Sequence, residues 1–414
     1  MKRKEQHRFA ESESEFISEG ALREPGFPQR LKIGFVLDDS LDKSDGVQQY
    51  VLTLGHWFHS QGHEVHYLVG QTERTDLSHV HSLSRNIQAR FNQNRMSTPL
   101  PASKSAIKQL LDKEQFDVLH VQLPYSPLLA ARIIYTAGPK TAIVGTFHII
   151  PFSKLEAFAT ATLGLVLKRN LRRLDAIYSV SEPARRFAKK SFRINSKVVP
   201  NVVNVGHFKA AKPYKRYEDG TVTIVFLGRL VERKGCMYLM EALERLHRQH
   251  QLERVRVIVC GKGPLLKKLE DFVRDKHLGR VVRFTGYIDE DTKAKYLASA
   301  DIAVMPSTGG ESFGIVLIEA MAAGARVVIG GDNPGYRSVL GERPQQLVKP
   351  ADTKAFAKTL HHFINSSRSR TQAFKWQQEH IKNFDVRLVG AYLLKEYETM
   401  IAKRRLNTDN KTNG

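Results

Sequence analysis

Short β-branched apolar runs alternate with longer amphipathic ones along nearly the whole chain, and that alternation leaves few folds open. Candidate strands are KIGFVL (32–37), EVHYLV (64–69), DVLHVQ (117–122), TAIVGTF (141–147) and DAIYSV (175–180). A second set follows as TVTIVFLG (221–228), RVRVIVCG (254–261), VVRFTG (281–286), DIAVMP (301–306) and ARVVIG (325–330). Between most of them apolar residues recur at three- and four-residue steps, as over 47–60 and 237–249, which is helical spacing. Such alternation predicts parallel sheets with helices on both faces. The expected fold class is therefore α/β, with two Rossmann-like doubly wound domains facing a central cleft.

Length agrees with this, because 414 residues exceed what one ordinary core holds, and 42% apolar residues can fill two. The segment 202–220 is polar and aperiodic and contains Gly206, Pro213 and Gly220. The boundaries expected are a polar, disordered extension over 1–30, a first domain over 31–205, a linker over 206–220 and a second domain over 221–384. An amphipathic closing helix over 385–403 and a fraying tail over 404–414 complete the chain.

Cys236 and Cys260 are the only cysteines and lie in no CxxC pair, so neither a disulfide framework nor a cysteine zinc site is expected. No apolar stretch reaches the roughly 18 residues of a spanning helix. MKRKEQHRFAESESEF has early charge but no apolar core behind it, unlike a secretory signal. A reducing, cytoplasmic setting is the expectation. The net charge of +22 favours anionic partners. It is uneven: between 168 and 193 nine Lys or Arg face only Asp175 and Glu182.

Open parallel sheets bind ligands beyond the carboxyl ends of their strands, so the residues after each strand carry the functional reading. Gly46 follows the first strand at the entry to a helix, where backbone amides can approach an anion. His148 ends the fourth strand and could hydrogen-bond a sugar hydroxyl. Arg229 and Lys234, in GRLVERKG, suit a pyrophosphate whose charge rises as a bond to it breaks. Arg233 is expected to point to solvent. GKGP (261–264) fails as a dinucleotide fingerprint, because Leu266 stands where the third glycine belongs.

The run STGGESFGIVLIEAMAAG (307–324) places Glu311 before a helix that Ser312 is expected to cap, and Glu319 about two turns inside it. One carboxylate could hold sugar hydroxyls and the other ribose hydroxyls. Glu319 stands among Ile315, Val316, Leu317, Ile318 and Met321, where a carboxylate needs a partner.

ESFGIVLIEAMAAG resembles the E-x7-E signature of the retaining glycosyltransferases of family 4, which have the GT-B fold. GRLVERKG, VCGKGP, GYIDE and SADIAVMPS match that family in order and spacing. KIGFVL with GVQ (46–48), DVLHVQ, GTFH and GYIDEDTK are similar to its phosphatidylinositol mannosyltransferase branch. The resemblance implies an acceptor-binding first domain and a nucleotide-sugar-binding second one. It gives Arg229 and Lys234 the donor pyrophosphate, Glu311 the hexose and Glu319 the ribose. Gly46 would support the phosphates, and His148 would reach the sugar near the reacting carbon. Ser312, Phe313, Gly314 and Ile315 would sit beside the diphosphate and sugar. Ile288, Glu290 and Lys293 would lie at the base, with Glu290 favouring guanine, and the acceptor would meet Gln48 and Tyr125.

Four departures fall mostly on the acceptor side. Asp45 stands where the branch has a second glycine and Asp39 where it has an aromatic; LPYSP (123–127) replaces an asparagine-bearing loop, and NVVN (201–204) lacks a glycine. They leave donor use intact and weigh against an inositol lipid. The implied reaction is hexosyl transfer from a GDP- or UDP-linked sugar, GDP-mannose foremost, to a lipid or glycan. No cofactor and no divalent metal is expected, since no DxD-like motif follows a strand. Interleaved with Leu171, Leu174, Phe187 and Phe192, the basic run 168–193 could lie on the anionic inner face of the plasma membrane. A nucleotide-sugar epimerase on the same fold is one alternative. A basic nucleic-acid-binding protein is another, but no helix-turn-helix, zinc or RNP-like motif supports a nucleic-acid partner.

Overall fold

The computed structural model describes residues 30–42, 45–84, 86–91, 94–99, 102–148 and 167–412. The extension expected over 1–30 lies, but for Arg30, outside the described residues.

The first sheet contains β1 (Lys32–Leu37), β2 (Glu64–Val69), β3 (Val80–Ser82), β6 (Val118–Gln122), β7 (Ala142–Phe147), β8 (Ala176–Ser179) and β9 (Lys197–Val198). A hairpin, β4 (Asn86–Phe91) with β5 (Asn94–Pro99), stands apart from it. The second sheet contains β10 (Val222–Leu227), β11 (Val255–Cys260), β12 (Val282–Gly286), β13 (Ile302–Met305), β14 (Val327–Gly331) and β15 (Leu347–Val348). The strand orders are β3-β2-β1-β6-β7-β8-β9 and β12-β11-β10-β13-β14-β15, with every neighbouring pair parallel. In each sheet the chain works outward one way from a central strand and then the other. The reversal opens a crevice between β1 and β6 and another between β10 and β13.

The apolar runs form strands because both faces are covered. Ile33, Phe35 and Leu37 enter one core and Val36 the other; Ile224 and Phe226 likewise face away from Val225. The helices of the first half are α1 (Gly46–Ser60), α2 (Lys104–Glu114), α3 (Leu129–Thr136), α4 (Lys168–Leu171), α5 (Glu182–Phe192) and α6 (Val205–Ala210). Those of the second are α7 (Cys236–Arg248), α8 (Leu266–Asp275), α9 (Glu290–Ala298), α10 (Ile315–Ala323), α11 (Pro334–Leu340), α12 (Thr353–Asn365), α13 (Ser367–His380) and α14 (Val386–Thr412).

Two expectations change. The segment expected as an open linker carries α6, and Phe208 of α6 is buried in the second domain's core. Tyr214 packs on Tyr296, and Arg216 and Arg256 both lie over Tyr217. Six residues are too few for helical periodicity to register in the sequence. The tail expected to fray is helical as far as Thr412. Arg404 is held by Asp175 at 2.8 Å and Arg405 by Asp117 at 3.1 Å, two acids at the starts of first-domain strands. Val389, Leu393, Leu394 and Tyr397 of α14 enter the first domain's core. The chain therefore crosses between domains twice, and the crossings pair: the Val203 amide donates to the Phe384 carbonyl (2.9 Å) and the Val386 amide to the Val203 carbonyl (3.0 Å).

Candidate active site

A cleft of about 690 Å³ separates the domains. It is lined by the segments that follow β1, β7, β10, β11, β12 and β13, and so lies beyond the carboxyl ends of both sheets. Gly46, Gln48, His148, Arg229, Lys234, Ile288, Glu290, Lys293, Glu311, Ser312, Phe313, Gly314, Ile315 and Glu319 all line it.

Glu311 is the carboxylate there that two cations share. Its Oε1 accepts from Lys234 Nζ (2.7 Å), Arg233 Nη1 (2.9 Å) and Ser307 Oγ (2.8 Å). Burial alone would raise the carboxyl, but Lys234 and Arg233 outweigh it and hold Glu311 below the usual range, so it is ionised. Burial, with Arg233 and Arg229 nearby, lowers the Lys234 ammonium against the pull of Glu311. Arg233, expected in solvent, is only 6% exposed and forms half of this clamp. The turn Glu232–Lys234 is a single 3-10 turn, which directs both cations to one acid.

Lys262 is a further cationic lining residue, with its ammonium 5.8 Å from the Tyr287 ring centroid. The GKGP segment reads in the sequence as a turn, which leaves Lys262 without a role there. A lysine directly after a strand's carboxyl end was the available signal.

Glu319 has the partner its apolar setting demanded. Lys293 Nζ lies 2.7 Å from its Oε1 and 2.6 Å from Glu290 Oε2. Burial works against the Lys293 charge, but the two carboxylates win and raise its pKa. Glu319 is the fifth residue of α10, nearer the helix start than expected. Glu290 also accepts from Gln49 Nε2 across the cleft (3.1 Å).

Ser312 does not cap α10. The cap position is Gly314, with φ 126°, and this turn carries Ser312 away; the Ser312 carbonyl instead accepts from Ser181 Oγ of the first domain (2.5 Å). A Cβ on Gly314 would meet the Tyr336 ring at 2.7 Å, so the turn needs glycine for space as well as for φ. The amides that open α10 have no side-chain cap. Across the cleft Gly46 opens α1, which also lacks a side-chain cap, and a Cβ there would lie 3.3 Å from Ile315 Cδ1. Two helix N-termini thus meet at one place, an arrangement that suits a diphosphate.

His148 is buried, and its ring nitrogen Nε2 is 2.7 Å from Gln122 Oε1. The Gln122 amide group itself donates to the His120 carbonyl, so its oxygen must accept from His148. That assigns the proton to Nε2 and leaves Nδ1 as an acceptor. Burial pulls the His148 pKa down to about 3, so the ring is neutral.

On the acceptor side Gln48 lines the cleft, but its amide is engaged by Asp39 Oδ2 (3.2 Å) and the Ser40 carbonyl (3.1 Å). Tyr125 is not among the lining residues. It packs against Phe147 at 5.2 Å and Phe192 at 5.0 Å, inside an apolar cluster with Phe187. Its expected acceptor role is therefore corrected to a structural one. The same cluster corrects the reading of the basic run. Leu171 and Phe187 are buried and Leu174 and Phe192 half-buried against it, while Lys168, Arg169, Arg172, Arg185, Arg186, Lys189, Lys190 and Arg193 are exposed. The run offers charge to a surface and keeps its apolar side chains inside. Among the described residues no helix is long and apolar enough to cross a membrane.

Two facing doubly wound domains, with a cationic pocket on the second, define the GT-B class of glycosyltransferases. Solved structures agree. A glycosyltransferase from Rickettsia africae superposes with a TM-score of 0.70 over 90% of this chain and 99% of its own, at 16% identity. Anabaena HepE, in complex with UDP-glucose, gives 0.67 over 89% and 100%, at 18% identity. Residues 44–207 match the model described as Glycosyltransferase Family 4, and residues 209–380 that of Glycosyl transferases group 1. A phosphatidyl-myo-inositol mannosyltransferase of Mycolicibacterium smegmatis is 31% identical over 89% of this chain and 94% of its own. That of Mycobacterium leprae is 31% identical over 89% and 97%. The chain belongs to glycosyltransferase family 4 and is a glycosyltransferase.

Proposed function

We propose that the protein transfers mannose from GDP-mannose to a hydroxyl of a lipid or glycan, with retention, at the cytoplasmic face of an anionic membrane. The observation that carries this reading is the clamp of Arg233, Lys234 and Ser307 on Glu311, set in one cleft with His148 and two helix N-termini. In this reading the hexose lies between Glu311 and His148 Nδ1, and the ribose on Glu319. Glu290, beside Ile288, accepts from the guanine edge. The bond from the anomeric carbon to the phosphate oxygen breaks while the acceptor oxygen bonds to that carbon on the same face. The acceptor proton passes to the departing phosphate. Arg229, Lys234, Lys262 and the helix amides stabilise the charge that grows there, and their number favours turnover without a divalent metal. Closure of the domains excludes water. The exposed cations of α4 and α5 support an electrostatic contact with acidic headgroups.

A thermal-unfolding screen with GDP-mannose, GDP-glucose, UDP-glucose and UDP-N-acetylglucosamine tests the donor, because a ligand that binds only the folded chain raises its stability. GDP-mannose should give the largest shift, and stabilisation by UDP-sugars alone would refute the donor assignment. Glu311→Ala should abolish transfer in a chain that remains folded, and EDTA should leave the wild-type rate nearly unchanged.

A further inference from the structure

The two walls of the cleft carry opposite charge. The second domain supplies Arg229, Arg233, Lys234, Lys262 and Lys293 against Glu290, Glu311 and Glu319, an excess of positive charge. The charged lining residues of the first domain are Asp38, Asp39, Asp42 and Asp45, with no cation among its described lining residues. His148 on that wall is neutral.

Asp39 and Asp42 are satisfied locally. Asp39 Oδ1 takes the Ser40 amide (2.7 Å) and Oδ2 the Gln48 amide (3.2 Å). Asp42 Oδ1 takes the Thr72 hydroxyl (2.5 Å) and the Glu73 amide (2.9 Å), and Ser40 bonds its Oδ2. Asp38 differs. It is 7% exposed, its Oδ1 accepts the Ala130 amide at the start of α3 (2.7 Å), and the Ser126 hydroxyl and Leu129 amide lie near enough to favour its charge, but its Oδ2 is enclosed with no well-formed hydrogen bond. Asn201, 4% exposed and on the same side of the cleft, has an Oδ1 in the same condition. Buried polar atoms are nearly always paired, and an unpaired pair of acceptors in a ligand cleft marks where ligand donors belong. Both atoms need an O–H or N–H. Any polyol supplies such donors, the inositol ring included; what sets an inositol lipid apart is its anionic phosphate diester, which would have to enter a wall of carboxylates.

We propose that the acceptor presents an uncharged polyhydroxyl group, a sugar or polyol, to this wall, with hydroxyls donating to Asp38 Oδ2 and Asn201 Oδ1, and that the wall disfavours a phosphorylated headgroup. The inference rests on the glycosyl-transfer reading. It separates this chain from its phosphatidyl-myo-inositol mannosyltransferase relatives at the acceptor and leaves the donor half alike. Asp38 and Asn201 are recognition residues here; the proton of the reacting hydroxyl still leaves with the phosphate.

The test uses the full chain and whichever of the four nucleotide sugars screened above stabilises it most. Acceptors are octyl glucoside, octyl mannoside, octyl galactoside and octylglycerol, against phosphatidylinositol in phosphatidylcholine vesicles. At least one uncharged compound should be used with kcat/KM tenfold or more above phosphatidylinositol. Asp38→Asn keeps an oxygen for the Ala130 amide and turns the second acceptor into a donor. It should raise the KM for that compound tenfold or more, with the KM for donor and the stabilisation by donor within twofold of wild type. Asn201→Leu should act in the same direction. Preference for phosphatidylinositol, no transfer to any uncharged compound, or an unchanged acceptor KM in both variants overturns the proposal while donor binding still upholds glycosyl transfer. If none of the four nucleotide sugars screened above stabilises the wild-type chain, the proposed donor site fails and this inference falls with it.

Discussion

Arg233 and Arg229 sit four positions apart after one strand, yet they do different things. Arg233 is buried and spends a guanidinium nitrogen on Glu311, whereas Arg229 is half-buried and lines the cleft. Removing one partner of a buried ion pair typically costs about 3–5 kcal/mol, because the other charge stays behind. Arg233→Met should therefore lower the melting temperature markedly, softened because Lys234 and Ser307 still hold Glu311. Arg229→Ala should melt above Arg233→Met but, on the proposed donor reading, lose most of its affinity for GDP, as read by calorimetric titration. Equal melting temperatures for the two variants would remove the distinction.

Asp38 allows a separate check by pH. Burial pushes its carboxyl up to about 6. The folded chain thus binds this proton more tightly than the unfolded chain, whose aspartate titrates near 3.9. Stability from this group is greatest below about pH 4, falls as pH rises and levels off above about 6. At pH 8 the penalty is on the order of 2–3 kcal/mol. Asp38→Asn should then melt higher than wild type at pH 8, with the gain shrinking through pH 6 and gone near pH 4. Residues of this kind escape a reading of the sequence. Glu311, Glu319 and Lys234 stand out because their neighbours give them a pattern. Asp38 and Lys262 are set by burial and by what lies across the cleft, and Tyr125 was misplaced because an aromatic after a strand can face either the ligand or the core.

At the scale of elements, the start of α10 is shaped by contact with α11. A Cβ on Gly335 of α11 would lie 2.2 Å from the Glu311 carbonyl oxygen, which is backbone and has no rotamer to yield. Gly335→Ala must move the Glu311 loop or α11, and overpacking of this kind costs about 1–3 kcal/mol. It should lower the melting temperature and weaken donor binding together. Gly279→Ala, with nothing within 4 Å, should do neither. An unchanged donor affinity in Gly335→Ala would show that the loop adjusts freely. The ten strands read from the sequence are all present within about two residues, since parallel strands covered on both faces leave unbroken apolar runs. The strands that were missed are β3, β9 and β15, two or three residues long at or near sheet edges, and the hairpin β4–β5. The three edge strands are too short to make such a run, and NIQARF and NRMSTP of the hairpin are too polar to make one.

For the molecule as a whole, the telling contact joins the first sheet to the last helix. His120 of β6 receives Tyr397 of α14 at 2.6 Å on Nδ1 and contacts Thr146 Oγ1 at 2.7 Å on Nε2. The last helix is thus fastened into the first domain by a buried neutral histidine. Burial pulls His120 down to about 3, as it does His148, and takes His81 to about 4. A histidine depressed in the folded chain contributes stability that is complete above about pH 6.5 and is lost as pH falls toward the folded value. Each contributes a slope of about 1.4 kcal/mol per pH unit in that window. All three lie in the first domain, as do His56, His63 and His66, which burial also lowers, whereas in the second domain burial lowers His380; acid should therefore open the first domain, and α14 with it, before the second. Hydrogen exchange at pH 7.5 and pH 5 should show protection lost first over β1, β6, β7 and α14, while β10, β11 and β13 keep theirs. Tyr397→Phe removes the hydroxyl from His120 and leaves a buried nitrogen unpaired, at a cost of about 1–3 kcal/mol. That variant should begin to open at a higher pH than wild type and in the same set of amides. Loss beginning in the second sheet would mean that the buried histidines do not govern the acid limit.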